Sequence, residues 1–317
     1  MLLVNRRELL VGAAALVLAP EALARHLGGT PTALVTADLE SHVVAVELLT
    51  GRRLREIATY PGPRSIEQVG NLGLVAHTEH GTLSVIDGAT LRVRRVIGGF
   101  RQPRYTAAAQ DGRHAFVTDS GDGTVAVVDV VAGTVRRRLA LGGPARHISY
   151  DASRRRLWIA LGTKAERVAT VDVSDPARPR LLRRFAPPFL AHDVGLAPGG
   201  RAWVTSGAAR ELVVYRRGRS LRLAAGAPPQ HVTFLDGRSF VTSGDDGTLR
   251  VHDATGRLLR TSRIPTGSYN VQHAFGGFIL MPSLDRGTLC VADARGRVLR
   301  TVQVARSSHD ACFVMTR

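Results

Sequence analysis

A repeat with a period near forty residues sets the limits on what this chain can fold into. The unit is clearest over residues 113–141, RHAFVTDSGDGTVAVVDVVAGTVRRRLAL, which reads as three strands separated by two tight turns. Gly121-Asp122-Gly123 and Ala132-Gly133 supply the positive φ that antiparallel hairpins need. A fourth short strand follows at residues 145–150 before the pattern restarts. Aligning the copies puts Val35, Val75, Val117, Ile159, Val204, Val241 and Leu280 in one column, with steps of 40, 42, 42, 45, 37 and 39 residues. That is the period of four-stranded propeller blades.

The other columns agree. The next strand ends at Glu47, Asp87, Asp129, Asp172, Tyr215, Asp253 and Asp293, and a glycine follows within a few residues in several copies. The fourth strands begin near Ser65, Tyr105, His147, Asp193, His231, Val271 and Asp310. Seven sets of four predict an all-β fold, a seven-bladed β-propeller of four-stranded blades, as one domain over residues 33–317. Residues 310–315 are left without a partner unless they become the innermost strand of the blade begun by residues 33–36. Closing the ring in this way removes the exposed edges that would otherwise template aggregation, and a closed ring is expected to be a monomer.

The repeat overrides the two domains that 317 residues alone would suggest. Aromatic residues are only 5 % of the chain, so Val, Leu and Ala must fill the core. The formal charge of +17 comes almost wholly from arginine, with Lys164 the only lysine. A basic surface invites anionic partners, but the charges fall mostly beside hairpin turns and form no aromatic-interleaved stripe. Nucleic acid is therefore not expected as a partner. Cys290 and Cys312 sit on apolar strands of different copies and read as buried small hydrophobes, not as a disulfide.

Residues 1–24 stand apart from the repeat. Arg6 and Arg7 precede an apolar run over residues 9–19, and Ala22 and Ala24 offer a small-residue cleavage site. This reads as an export signal of the twin-arginine kind, with residues 25–32 leading into the fold. A periplasmic or extracellular location and no retained membrane span are expected.

The copies resemble the YVTN-type β-propellers, whose blades carry a Tyr-Val-Thr-Asn run and a strand ending Val-Ile-Asp. The counterparts are Phe116-Val117-Thr118-Asp119, Trp203-Val204-Thr205-Ser206 and Phe240-Val241-Thr242-Ser243, with Ser84-Val85-Ile86-Asp87 in the next column. The resemblance covers residues 30–317. Asn is absent from the motif, residues 175–179 are an insertion, and Tyr215 replaces the usual Asp. The resemblance implies the fold; its members range from lactonase-like enzymes, haem d1 domains and quinoprotein subunits to plain binding proteins. The nitrite reductase-type d1 domain is eight-bladed, which weakens the haem d1 reading in seven blades; a cofactor-associated, haem d1- or quinoprotein-like propeller stays as a further alternative that the resemblance implies, beside a purely structural envelope interaction scaffold.

Strand order assigns His42, His77, His80, His147, His192, His231 and His309 to one face, around the mouth of the central channel, and His26, His114, His252 and His273 elsewhere. The positions that open the innermost strands converge on the axis: Arg64-Ser65, Arg104-Tyr105, Arg146-His147, His192-Asp193, Gln230-His231, Asn270 and His309-Asp310. Two uses of these side chains are predicted. In the first, Arg64, Arg104, Tyr105, Arg146, His147, Gln230 and Asn270 bind a small molecule or an anionic envelope ligand. In the second, His192, Asp193, His231, His309 and Asp310 act as metal ligands or as general acids and bases in a lactonase- or lyase-like reaction. His77, Glu79 and His80 form the most metal-like local cluster for a divalent cation. Asp119, Asp122, Asp245 and Asp246 have calcium-like spacing that hairpin turns already explain. No nucleophile elbow, phosphate loop or haem-attachment motif is present.

Overall fold

The computed structural model describes residues 28–162, 165–216 and 218–317. The export signal read at residues 1–24, His26 and Lys164 lie outside the described residues. Seven four-stranded antiparallel sheets stand around one axis. Blade 1 is completed by the last strand, Ala311–Thr316, which pairs with Thr30–Ala37 in the register Val35↔Ala311 to Thr30↔Thr316. Blades 2 to 7 then follow in chain order over residues 63–97, 103–140, 145–185, 194–224, 232–263 and 272–303. The closure expected from the unpartnered last strand is the one found. The first strand begins at Thr30, inside the segment read as a leader, because the last strand gives Thr30, Pro31 and Thr32 a pairing partner.

Each sheet is apolar on both faces, so packing occurs between blades. Seven separate clusters of buried side chains result, one at each blade interface. Val, Leu, Ile and Ala dominate them, as the low aromatic content requires. Cys290 and Cys312 are free, buried and in different clusters. Trp203 is likewise core, while Trp158 is half-buried beside Phe185 and Tyr215. No helix among the described residues is long and apolar enough to cross a membrane.

The aspartate column has a local cause. Asp87, Asp129, Asp172, Asp253 and Asp293 each turn a carboxylate oxygen back onto an amide of the following hairpin turn, at 2.8–3.0 Å. These are side-chain mimics of a backbone turn. Where Tyr215 replaces Asp, the strand runs on to Arg216 and pairs with Arg219, and the tyrosine joins the interface cluster instead.

Candidate functional site

The threonines of the Phe/Trp-Val-Thr runs hold the axial ring of side chains in place. Thr118 accepts from the Tyr105 amide at 3.1 Å and donates to the Arg146 carbonyl of the next blade at 2.7 Å. Thr205 does the same between the Asp193 amide, at 3.0 Å, and the Gln230 carbonyl, at 2.5 Å. Thr242 donates to the Tyr269 carbonyl. One hydroxyl thus fixes the start of its own innermost strand and that of its neighbour. The first two residues there, the lip of the channel, are placed by three separate blades in the same way.

The lip concentrates imidazoles. His147, His192 and His231 come from blades 4, 5 and 6, and one ring nitrogen from each lies within 4.8 Å of the others. Their ring centroids are 4.5, 4.7 and 5.2 Å apart, and Tyr105 lies against His147 at 4.0 Å. His147 is only 1 % exposed, and neither of its ring nitrogens has a hydrogen-bond partner. His231 Nδ1 is 3.3 Å from Asp193 Oδ2. His309 is not one of the group; its carbonyl accepts from Asn270 Nδ2 at 2.9 Å. His147 therefore takes the third place in the group, which the sequence reading gave to His309.

Asp193 and Asp310 also serve the fold. Asp193 Oδ2 accepts from the Val232 amide of blade 6 at 3.3 Å, and Asp310 Oδ2 from the Ile66 amide of blade 2 at 3.1 Å. Each carboxylate stitches its blade to the next.

Burial dominates the electrostatics. It pushes the His147 imidazole well below its ordinary range, helped by His192, His231 and Arg146. His309 is lowered by burial and then by Arg64. Burial tends to raise the Asp193 carboxyl, but the charge and hydrogen bond of His231 outweigh it and hold the group below its usual value. Asp310 is pushed up to about 7 by burial. Glu67, two residues further along the inner strand of blade 2, is raised to about 8 by burial and then by Asp310. Its partial exposure is to the channel interior, which it lines. Burial, followed by repulsion from Arg146 and Arg64, brings the Arg104 guanidinium down to about 10. Arg64 and Arg104 each carry a buried Nε without a hydrogen-bond partner.

Beneath the lip lies a cavity of about 720 Å³, lined by Tyr105, His147, Asp193, His231, Asn270 and Asp310 at this end. It follows the innermost strands to the opposite face, where Gln110 of blade 3 and the turns at Ala152-Ser153 and Pro198-Gly199-Gly200 line it. The sequence reading put the binding region at the mouth; the space itself runs away from the mouth. Of the expected binding residues, Tyr105, His147 and Asn270 line it, whereas Arg64, Arg104, Arg146 and Gln230 do not. The guanidiniums are half-buried at the lip. Gln230 is spent on the neighbouring loop, accepting from the Gly244 amide at 2.7 Å.

The remaining expectations fare unevenly. His77, Glu79 and His80 are not gathered into one ligand set: His77 is buried with Nε2 2.9 Å from Ser84 Oγ, while Glu79 and His80 are exposed. Burial lowers the His77 imidazole to about 4. His80 packs on the ring of Tyr60 at 4.3 Å. Asp119 accepts from the amides of Arg101, Gln102 and Gly121, so it serves its turn. Asp246 is taken up by Thr248 and Arg250. Glu67 and His273 line the cavity and were not anticipated. They lie two residues beyond Ser65 and Val271, and the period-two alternation of a strand returns them to the same side.

Seven four-stranded blades around an axial cavity define a β-propeller. No protein-family model and no curated protein matches the chain. Among solved structures, a functionally unknown protein from Desulfotomaculum acetoxidans superposes with a TM-score of 0.77 at 11 % identity, over 90 % of this chain and 99 % of that one. A putative 6-phosphogluconolactonase from Bacteroides fragilis gives 0.71 at 12 %, over 90 % and 98 %. The dihydro-heme d1 dehydrogenase NirN gives 0.62 at 14 %, over 89 % and 74 %. At these identities the likeness extends to the propeller fold.

Proposed function

We propose that this protein is an exported binding propeller that holds a small phosphate- or carboxylate-bearing molecule at the imidazole end of its axial cavity. The observation that carries this reading is His147, buried at the end of a cavity of about 720 Å³ with both ring nitrogens unpartnered. Buried polar groups are ordinarily satisfied, so an orphaned pair on a residue that lines the cavity marks a place where a ligand supplies the partner. The charge balance indicates the sign. Three guanidiniums stand at the lip, whereas Glu67, raised to about 8, and Asp310, raised to about 7, are largely or partly protonated at neutral pH. An anion relieves that excess.

Calorimetric titration of metal-free protein with inorganic phosphate, citrate and 6-phosphogluconate tests the reading. At least one probe is expected to bind. Arg104→Ala is expected to weaken it about tenfold to a hundredfold, the loss of one charge-assisted hydrogen bond. Failure of all three probes, or unchanged affinity in Arg104→Ala, refutes it.

The Asp193–His231 pair, at 3.3 Å, favours a second reading. A carboxylate that orients an imidazole is what a general base needs, and a lactonase- or lyase-like reaction would use His231 in that role with His192, His309 and Asp310 around it. Lactone hydrolysis that disappears in His231→Ala while anion binding persists distinguishes turnover from binding; hydrolysis unaffected by the substitution removes His231 from the role.

A further inference from the structure

We propose that His147, His192 and His231 form a three-imidazole site for a divalent transition metal, with the fourth position open to the axial cavity. The inference deepens the binding reading and rests on the same cavity, but its residues and its test are separate.

Geometry comes first. Imidazole nitrogens bind zinc-like ions at about 2.0–2.1 Å, so two nitrogens of a tetrahedral site stand roughly 3.3 Å apart. The three donor atoms all lie within 4.8 Å of one another. At most about 1.5 Å of closure is then required, which small side-chain rotations cover. The three residues open the innermost strands of three consecutive blades, and Thr205 ties two of those strands together through the Asp193 amide and the Gln230 carbonyl. The ligands thus stand on rigid elements, as a preformed metal site requires.

The second observation is chemical. A buried imidazole with neither nitrogen bonded carries an uncompensated desolvation cost, and His147 is in that state. Ligation would give one of the two nitrogens its partner. Histidine ligands characteristically give their other nitrogen to a carboxylate. Asp193 Oδ2 sits beside His231 Nδ1, which leaves Nε2 for the ion.

The third observation explains how His192 comes to face the axis. Gly207 has φ +70°, and a Cβ there would lie 2.7 Å from the His192 Cβ and 3.0 Å from its Nδ1. Only glycine allows that approach, so Gly207 acts as a positioning residue. The guanidiniums of Arg64, Arg104 and Arg146 oppose a cation here; the Asp193 carboxylate beside His231 counters them in part, and an anion in the fourth position would complete the balance. Three histidines and one open position are the donor set of an exchangeable site, suited to zinc, cobalt, nickel or copper more than to calcium or magnesium.

The test uses the full folded protein, stripped with EDTA and titrated with Co²⁺ and Zn²⁺ in the absence of anionic ligand. One ion per chain is expected by native mass spectrometry, with intense visible Co²⁺ bands of four-coordinate type. His147→Ala should weaken binding by a hundredfold or more, while His80→Ala, in the exposed loop, should match the parent. No stoichiometric binding, or binding lost in His80→Ala and kept in His147→Ala, overturns the proposal. If His147→Ala does not fold, X-ray absorption of the zinc-loaded parent decides: three imidazole ligands support the site, and one or none overturns it. Phosphate titration of the stripped protein is scored separately, so a failed metal site and a failed anion site are told apart.

Discussion

At the scale of single residues, the structure separates side chains that face the axis from those that only share its end of the molecule. Seven histidines were assigned to the mouth face from strand order, and four of them, His147, His192, His231 and His309, reach the lip. His77 turns to Ser84, and His80 lies against Tyr60. That division depends on which side of a strand end the residue occupies, and the loop geometry that decides it leaves no mark in the sequence. Period-two alternation carries Glu67 and His273 to the channel side, but a polar residue inside a strand does not by itself mark a channel-facing position. Glu67 gives a sharp test. Its carboxyl rises from an ordinary 4.5 to about 8 on folding, so between those values the folded state holds a proton that the unfolded state has lost. Its contribution to stability therefore falls as pH rises from about 4.5 to about 8 and is flat above that window. Glu67→Gln removes the dependence, so the stability of the variant relative to the parent should climb across the same window. Urea denaturation at intervals from pH 4.5 to 9 measures it; a constant difference would show that Glu67 is not perturbed.

At the scale of strands and blades, most of the architecture was written in the repeat. The valine column marks the second strand of every blade, and the aspartate column marks the turns that its carboxylates cap. The threonine of the third pattern carries more than strand propensity, since Thr118, Thr205 and Thr242 link consecutive blades. The exceptions have local causes: Tyr215 joins an interface cluster, and the first strand extends back to Thr30 because a partner exists there. Ring closure rests on one strand, Ala311–Thr316, paired along its length with the first. Deleting residues 311–317 leaves blade 1 with three strands, exposes its inner edge and removes Asp310's neighbours. Loss of cooperative thermal unfolding and a shift to aggregates in size-exclusion chromatography are expected. A monomeric, cooperatively melting truncation would show that closure is dispensable.

At the scale of the whole molecule, what could not be read was the depth of the cavity. Its volume depends on the side chains that line the inner strands below the lip, where Ala107, Ser149 and Gly195 leave room. At Gly195 an added Cβ would meet Val232 at 2.5 Å, so close packing of adjacent strands sets that residue and the open space is a by-product. No single column of the repeat encodes such a sum. The register of the closing strand also orients the molecule. Thr30 pairs with Thr316 at the end of blade 1 farthest from the lip, on the face where the turns of blades 4 and 5 border the cavity. Gly29, which lies against the Thr316 carbonyl, and Arg317 are on that same face. A fusion joined at Arg317 would stand beside that end of the cavity and turn the arginine-histidine end outward, so a C-terminal purification tag leaves the lip as the unobstructed approach to the imidazoles.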